Sequence, residues 1–452
     1  MKLRSERIGM LQRFGAGLIA SGIAALLFKI VGLQAATPNT AQLLAWQKMP
    51  LFTLSNLPDP AAEAIVRQYL QDLSAKGAVA RHQGIWIQSG TTVIAKHQEQ
   101  VPLPAASLTK IATTLAALHQ WGPDHQFETL VSATGPVKNG VLQGDLVITG
   151  GGDPLFIWDE AIALGNSLNR MGIRRINGNL VIVGDFYLNY EENPVVSAQL
   201  LRQAFNPQQW TRNFSYRYNL MPKGTPKPQI ALAGGVKVTA NPLSKTTSLL
   251  IRHKSVPLTH ILKEMNIQSN NQMADMLTQS LGGAEVRSNL AAKSANISLD
   301  ELQLINGSGL GVENMISPRA ASAMLMAVDR FLQPYKLSIM DVFPVSGLDK
   351  AGTMWGRHIP LGTAIKTGTL RDVSALAGVM PTRDRGLVWF AIINRGSDVY
   401  GFRQQQDELL QRLSQQWGTM PTIQSITPST PSILGDSKRN EIVSSAQKKV
   451  GS

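Results

Sequence analysis

Residues 104–118 read Pro-Ala-Ala-Ser-Leu-Thr-Lys followed by an apolar, alanine-rich run, and no other stretch constrains the fold of this chain as tightly. Leu108, Ile111, Ala112 and Leu115 recur at helical spacing, so the run predicts a helix that must bury that face in a core. Ser107 then falls in the first turn, and Lys110, three residues on, lies on the same side one turn away. A serine hydroxyl is a weak nucleophile at neutral pH and needs a base within hydrogen-bond range. An amine one turn away can be that base if partial burial lowers its pKa. The same four residues also fit a capping serine followed by a surface lysine, so the motif decides nothing alone.

The chain has 452 residues, enough for a large core and for two or three domains. It contains no cysteine, which excludes disulfide frameworks, cysteine nucleophiles and cysteine-held zinc. Its seven histidines form no HExxH pattern, which argues against a metallohydrolase. Residues 1–36 have the three-part pattern of an export signal: Lys2, Arg4, Arg7 and Arg13, an uncharged run over 14–28, then Ala35 and Ala36. Lys29 leaves that run short of the ~20 residues of a membrane span. A cleaved signal peptide and an uncleaved membrane anchor through residues 14–33 both stay open. Either way the chain is expected outside the cytoplasm, in the periplasm or cell envelope. Net charge is +13, and residues 1–36 hold five Lys or Arg and one Glu, which leaves +9 for the rest. An exported basic protein is drawn to anionic wall polymer or a membrane surface. The basic residues are scattered and no recognition motif accompanies them, so nucleic acid is not expected as a partner.

Asp59-Pro60 predicts an N-cap and a first helical position, and Gly77 a stop, around an apolar stripe of Ile65, Val66, Tyr69, Leu70 and Leu73. Residues 84–88 and 92–95 read as a hairpin joined at Ser89-Gly90. From about residue 120 the character turns glycine-rich. Short strands are predicted at 127–133, 141–149 and 179–183, with Asn139-Gly140 as a hairpin turn between the first two. Gly150-Gly151-Gly152-Asp153-Pro154 lacks the Lys-Ser/Thr ending of a phosphate loop and reads as a tight turn. The aromatic residues Trp210, Phe214 and Tyr216 read as packing. Residues 126–249 are therefore expected to form a separate β-rich insertion domain. Helical periodicity returns near Pro257, and a second helix follows Ser269-Asn270-Asn271, a triplet suited to an N-cap. Strands at 364–369, 375–380 and 387–393 and a helix over 403–417 complete the ordered part. Beyond Gly418 the Ser, Thr and Pro content rises and apolar periodicity stops, so 419–452 reads as a disordered tail.

Three elements thus stand in order: Ser107-x-x-Lys110, Ser269-x-Asn271 and Lys366-Thr367-Gly368. Each is weak alone; together, each in a fitting local context, they form the motif set of penicillin-interacting serine enzymes. Further matches are Pro104-Ala105-Ala106-Ser107, Gly152-Asp153-Pro154, Asn306-Gly307-Ser308-Gly309-Leu310, Gly352-Thr353 and Lys366-Thr367-Gly368-Thr369-Leu370. With them the chain resembles the serine D-alanyl-D-alanine carboxypeptidases and endopeptidases typified by penicillin-binding protein 4, over about residues 59–418.

That resemblance implies a multi-domain α+β fold. A D,D-peptidase/β-lactamase-like catalytic domain, an antiparallel sheet flanked by helices, would be split over 37–125 and 250–418 and interrupted by the insertion. It implies peptidoglycan stem peptides as substrate, β-lactam antibiotics as acylating inhibitors, and no metal or organic cofactor. Ser107 would be the nucleophile that forms an acyl-enzyme, Lys110 its general base, and Ser269 the relay that returns a proton to the leaving amine. Asn271 would orient the substrate, and Lys366 and Thr367 would meet a carboxylate. Gly368 would let the substrate lie along the strand edge, and the backbone N–H groups of Ser107 and Thr369 would form the oxyanion hole. The chain departs from the family in two places. Only 162 positions separate Ser107 from Ser269, fewer than in the larger members, which predicts a reduced insertion, and Asn306 stands where the family often has aspartate.

A β-lactamase shares the three motifs but must deacylate fast, in one large class through a glutamate beside a bound water. Glu285 and Asn289 are spaced four apart after the second motif, yet they lie in a stretch that reads as helix only 16 residues past Ser269. Ser308 has Asn306 and Leu310 where a nucleophile elbow requires glycine, which excludes an α/β-hydrolase. A non-enzymatic wall-binding protein would have no need of Ser107 and Lys110 together. The sequence therefore predicts an exported serine D,D-peptidase, carboxypeptidase or endopeptidase, in which Ser107, Lys110, Ser269 and the Lys366 strand face one cleft.

Overall fold

The computed structural model describes residues 59–239, 247–420 and 434–443, so the export segment at 1–36 lies outside the described residues. Helix α1 (Pro60–Ala75) begins where the Asp59 carboxylate accepts the Ala62 N–H at 3.0 Å with proline at the first helical position. Strands β1 (Gln83–Ser89) and β2 (Thr92–His97) form the expected hairpin. A short 3-10 turn, Ala106–Leu108, leads into α2 (Thr109–Trp121), whose residues from Thr109 to Leu118 are all buried. The insertion follows, with β3 (Glu128–Ala133), β4 (Leu146–Gly151), α3 (Trp158–Arg170), β5 (Leu180–Asp185), α4 (Pro194–Ala204), α5 (Arg212–Leu220), β6 (Val236–Thr239) and β7 (Ser248–Lys254). The chain then runs through α6 (Leu258–Gln268), α7 (Asn271–Ser280), α8 (Ala284–Ala295) and α9 (Pro318–Leu332). It ends in β8 (Ala364–Leu370), β9 (Val373–Thr382), β10 (Gly386–Arg395), α10 (Val399–Trp417) and β11 (Asn440–Ile442).

The sheet that carries the site has the order β8-β9-β10-β1-β2 and is antiparallel throughout, so the two halves of the split domain join where β10 pairs β1. Alternation along its strands feeds two cores. Ala364, Ala375, Ala377, Ala391 and Ile393 join Leu115, Leu262 and Leu325 of the helices on one face. Ile85, Ile87, Ile365, Leu376 and Phe390 join Val66, Leu73, Leu410 and Trp417 of α1 and α10 on the other. All ten residues of β9 are buried, which is why residues 375–380 read in sequence as an unbroken run without polar alternation. Asp59 also ties distant ends together: Trp417 Nε1 and Arg385 Nη2 each donate to its Oδ2 at 2.8 Å.

The insertion sheet has the order β6-β5-β4-β3-β7-β11, with β4, β5 and β6 parallel and the remaining pairs antiparallel. Parallel neighbours need crossover connections, and here these are α3 and the pair α4–α5, three helices that the sequence patterns of 126–249 do not predict. One start signal is nonetheless present, since Asn193-Pro194 caps α4 as Asp59-Pro60 caps α1. The predicted strand 141–149 is broken into the two-residue Val141–Leu142 and β4. Asn139-Gly140, with φ of 49° and 78°, closes the small hairpin of Val137–Lys138 with Val141–Leu142 rather than joining β3 to β4.

Two expected boundaries are corrected. The division at 249/250 would cut β7, which pairs with β3 as far as Lys254↔Glu128, so the insertion runs on to Lys254. The tail reading of 419–452 fails for residues 434–443, which strap the insertion. Their β11 pairs β7 at Ile251↔Ile442 and His253↔Asn440, and Arg439 Nη2 donates to the buried Glu160 carboxylate at 2.5 Å. The strap holds by main-chain pairing, polar bonds and two separate apolar side chains, Leu434 and Ile442, none of which makes an apolar periodicity. Residues 421–433 and 444–452 lie outside the described residues. Among the described residues no helix is long and apolar enough to cross a membrane.

Candidate active site

The turn that carries Ser107 is clamped from two sides. Ala106 sits at φ 48°, a left-handed conformation that costs an alanine about 1 kcal/mol or more and persists only where its surroundings impose it. Here Thr109 Oγ1 donates to Ala106 O at 2.9 Å, and two glycines bring backbone against the turn. A Cβ on Gly309 would lie 1.9 Å from Ala106 O, and one on Gly368 would lie 2.7 Å from Ala105 O and 3.1 Å from Ser107 N. Gly368 therefore lets β8, the edge strand, run directly past Ser107.

Lys110 is wholly buried. Its Nζ lies 3.0 Å from Ser107 Oγ and donates to Asn271 Oδ1 at 2.7 Å and to the Ser308 carbonyl at 2.7 Å. Burial pushes the amine down to about 7, with the Asp275 carboxylate pulling weakly the other way. Lys366 is buried as well, and its Nζ donates to Ser269 Oγ and to Thr367 O, both at 2.9 Å. Burial, and after it the charge of Lys110, drives Lys366 well below the usual lysine range. Ser269 ends α6 at φ 51°, while Asn270 makes the cap of α7 by accepting the Met273 N–H at 3.0 Å. The capping role read for the triplet thus belongs to Asn270, and the two flanking side chains turn to the lysines. The structure brings Ser107, Lys110, Ser269, Asn271, Lys366 and Gly368 together; Thr367 is buried and Thr369 is exposed.

Several participants have no motif to announce them. Asp275 Oδ1 accepts the N–H groups of Gly307 at 2.8 Å and Ser308 at 2.9 Å, which turns the Ser308 carbonyl toward Lys110. Its place four residues after Asn271, on one face of α7, was the available signal. Asn306 accepts the Gly309 N–H at 2.8 Å and donates from Nδ2 to Leu310 O at 2.7 Å, a double role that a carboxylate, an acceptor only, could not fill. Arg287, fully buried, donates to Asn306 O at 2.6 Å beneath the same loop. Glu285 and Asn289 are exposed on α8, as a structural reading requires. Among the described residues no cluster of three or more His, Cys, Asp or Glu is placed to hold a metal ion.

Two buried lysines, each on a serine hydroxyl, beside a glycine-opened strand edge form an arrangement suited to acyl transfer, and comparison with known proteins agrees. The D-alanyl-D-alanine carboxypeptidase DacB of Haemophilus influenzae is 24% identical over 436 residues, 75% of this chain and 87% of the relative. The Bd3459 predatory endopeptidase of Bdellovibrio bacteriovorus superposes with a TM-score of 0.68 at 25% identity, over 80% of this chain and 99% of that one. Its penicillin G acylated form, in complex with an immunity protein, gives a TM-score of 0.65 at 25% identity over 76% and 94%. The model of the D-Ala-D-Ala carboxypeptidase 3 (S13) family matches residues 64–207 and 220–416, well over half of the chain. On that match, and on a fold and motif order that agree with it, the chain belongs to the D-Ala-D-Ala carboxypeptidase 3 (S13) family.

Proposed function

We propose that this protein is a penicillin-binding serine D,D-peptidase of the cell envelope that cleaves D-Ala-D-Ala termini or D,D-cross-links of peptidoglycan stem peptides through an acyl-enzyme on Ser107. The observation that carries this reading is the set of partners around Lys110. A neutral amine has two N–H donors and one lone pair. Asn271 Oδ1 and Ser308 O take the two hydrogens, so the lone pair is left for Ser107 Oγ at 3.0 Å. Burial, which lowers the amine to about 7, leaves much of it neutral near physiological pH.

In the first step Ser107 Oγ attacks the carbonyl carbon and its proton passes to Lys110. The negative charge that develops on the carbonyl oxygen is met by the N–H groups of Ser107 and Thr369, each such donor being worth about 2.7–4 kcal/mol in serine enzymes. Ser269, held by Lys366, hands its proton to the departing nitrogen as the C–N bond breaks and is resupplied with the proton that Lys110 took from Ser107, which leaves Lys110 neutral again. Water then attacks the ester, Lys110 takes its proton and returns it to Ser107 Oγ as the acyl C–O bond breaks. Asn271 orients the stem peptide, and Thr367 with Lys366 presents polar groups to its carboxylate.

Export through residues 1–36, retained as an anchor or cleaved, would bring the enzyme to its substrate. The Haemophilus relative is named a carboxypeptidase and the Bdellovibrio one an endopeptidase, so the test measures both products. Purified protein incubated with defined monomeric and cross-linked muropeptides should release D-alanine or separated stems, identified by mass, and should take up one equivalent of fluorescent penicillin. Ser107→Ala should abolish both. Persistent peptidase activity in that variant, or rapid turnover of a chromogenic cephalosporin by the native enzyme, would sink the assignment.

A further inference from the structure

The far side of the site sheet holds a cleft that these steps do not use. Helices α1 and α10 cover the face of the sheet opposite α2, and between them they leave a cleft of about 230 Å³. It is smaller than the ~300–1,000 Å³ of sites for drug-sized ligands. Its buried lining is Tyr69, Gln405 and Leu409, and its exposed lining includes Asp72, Lys76, Glu408 and Arg412. Gln405 is only 7% exposed, and its Oε1 has no hydrogen-bond partner. A buried amide left in that state costs stability until something satisfies it. Tyr69 beside it is already engaged, because its hydroxyl donates to Asn394 Oδ1 at 2.9 Å. The unmet bond therefore belongs to Gln405.

The charges around that amide are balanced in sign. Asp72 and the capping Lys76 stand four apart on α1, and Glu408 and Arg412 four apart on α10, the spacing at which opposite charges on a helix close an ion pair. Among the described residues none of the four enters one; Asp72 accepts instead from Gln68 Nε2 at 2.8 Å. Each helix thus offers the cleft one anion and one cation, with Cβ atoms about 5–6 Å apart. A ligand with a single charge is repelled there by as many groups as attract it. A free α-amino acid carries an ammonium and a carboxylate on one carbon, so each of its charges finds a partner. We propose that the cleft between α1 and α10 is a second binding site, for a small free α-amino acid in its zwitterionic form. The carboxylate meets Lys76 and Arg412, and the ammonium meets Asp72 and Glu408. The Gln405 amide, with no bond to hold its oxygen, can turn that oxygen to the ammonium. The reaction proposed above releases one such molecule, D-alanine. That identity of the occupant rests on the D,D-peptidase reading, whereas the preference for a zwitterion does not.

The test titrates D-alanine, L-alanine and glycine calorimetrically into the full-length protein acylated with penicillin, which blocks Ser107 and leaves the cleft open. A zwitterion should bind saturably, with a Kd of about 1 mM for so small a ligand. N-acetyl-D-alanine, which lacks the ammonium, and D-alanine methyl ester, which lacks the carboxylate, should each bind about tenfold more weakly or worse. D-Alanine should lose a similar factor on R412E and on E408K. Both variants should still take up penicillin as the native enzyme does, because the cleft and Ser107 lie apart. Q405M, which keeps the size of the side chain and removes the amide, should weaken binding about 3- to 30-fold. Tighter binding of D- than of L-alanine would identify the occupant as the enzyme's own product, and equal binding as a free amino acid of the surroundings; either result keeps a zwitterion in the cleft. The inference is overturned by the absence of saturable binding, by N-acetyl-D-alanine binding as well as D-alanine, or by binding indifferent to R412E, E408K and Q405M. Protein that takes up no penicillin would bring down the proposed function instead, and the same titrations on the unacylated chain would then decide the cleft.

Discussion

Lys110 can act as a base only while its amine is neutral, and its place in the core sets when that is. With the amine lowered to about 7 by burial, the neutral fraction grows as pH rises through that value. Acylation of Ser107 by penicillin should therefore rise about tenfold per pH unit well below 7 and level off by about pH 8. Stopped-flow acylation across pH 5 to 9 measures this, and a flat profile would remove Lys110 from the role. Asp275 sharpens the test, because its negative charge holds the amine up. Asp275→Asn keeps an oxygen for the Gly307 and Ser308 N–H groups but loses that charge, so the acid limb of the profile should move to lower pH. Asp275→Ala, which loses the oxygen too, should lower the rate at every pH. A limb that moves upward in Asp275→Asn would contradict the electrostatic part of the account. Ser107, Lys110, Ser269, Asn271 and Lys366 were legible because the chemistry restricts which residue types can stand there. Asp275 offered only its spacing from Asn271, and Arg287 offered nothing, since their meaning arises from contacts that only the folded chain makes.

At the level of elements, legibility followed the signals that operate locally. The Asp59-Pro60 start of α1, the β1–β2 hairpin and the three closing strands all announce themselves through caps, turns or runs of apolar residues. The strap at 434–443 does not, because its partner strand lies 187 positions earlier at His253↔Asn440 and its apolar contacts, through Leu434 and Ile442, are too few to make a pattern. Its weight can be measured through Glu160, which is fully buried, is pushed up by that burial, and draws its countercharge from Arg439. Arg439→Ala leaves the carboxylate with the Gly435 N–H as its remaining donor from the strap, so a destabilisation of about 3 kcal/mol or more is expected at neutral pH. The sign with pH follows from the raised pKa. A folded state that holds its proton longer than the unfolded one loses stability as pH climbs through the folded value. The variant should therefore be hurt more at pH 8 than at pH 5, as read by urea unfolding at each pH. A uniform loss would mean that Arg439 acts by packing rather than by charge. Penicillin uptake by Ser107 should be unchanged, since the strap joins the insertion sheet and not the site sheet.

Across the whole molecule, one cleft is assembled from segments that begin at Ser107, Ser269 and Lys366, with an entire insertion folded between the first two. Motif order could predict that these segments meet, because one reaction would need all of them, but not how the modules would be bounded, because β7 and β11 belong to the insertion while lying in sequence beside or beyond the catalytic segments. The result is two sets of cores. One lines both faces of the site sheet, and the other fills the insertion with Ile148, Ile162, Leu168, Ile182 and Phe214. Phe127, Leu155, Ile157 and Tyr190 of the insertion, with Leu434 of the strap, pack into the catalytic core. The two cores, joined by these few side chains, should melt in two transitions, since multi-domain chains seldom unfold as one unit. A penicilloyl group on Ser107 is bonded to the catalytic module and interacts with it only while that module is folded. Acylation should therefore raise the catalytic transition, by about 2–4 °C for each kcal/mol of added stability in a domain of this size, and leave the insertion's transition in place. Scanning calorimetry of the free and acylated enzyme reads both. A single transition that moves as a whole would show instead that Tyr190 and its neighbours fuse the two modules into one cooperative unit.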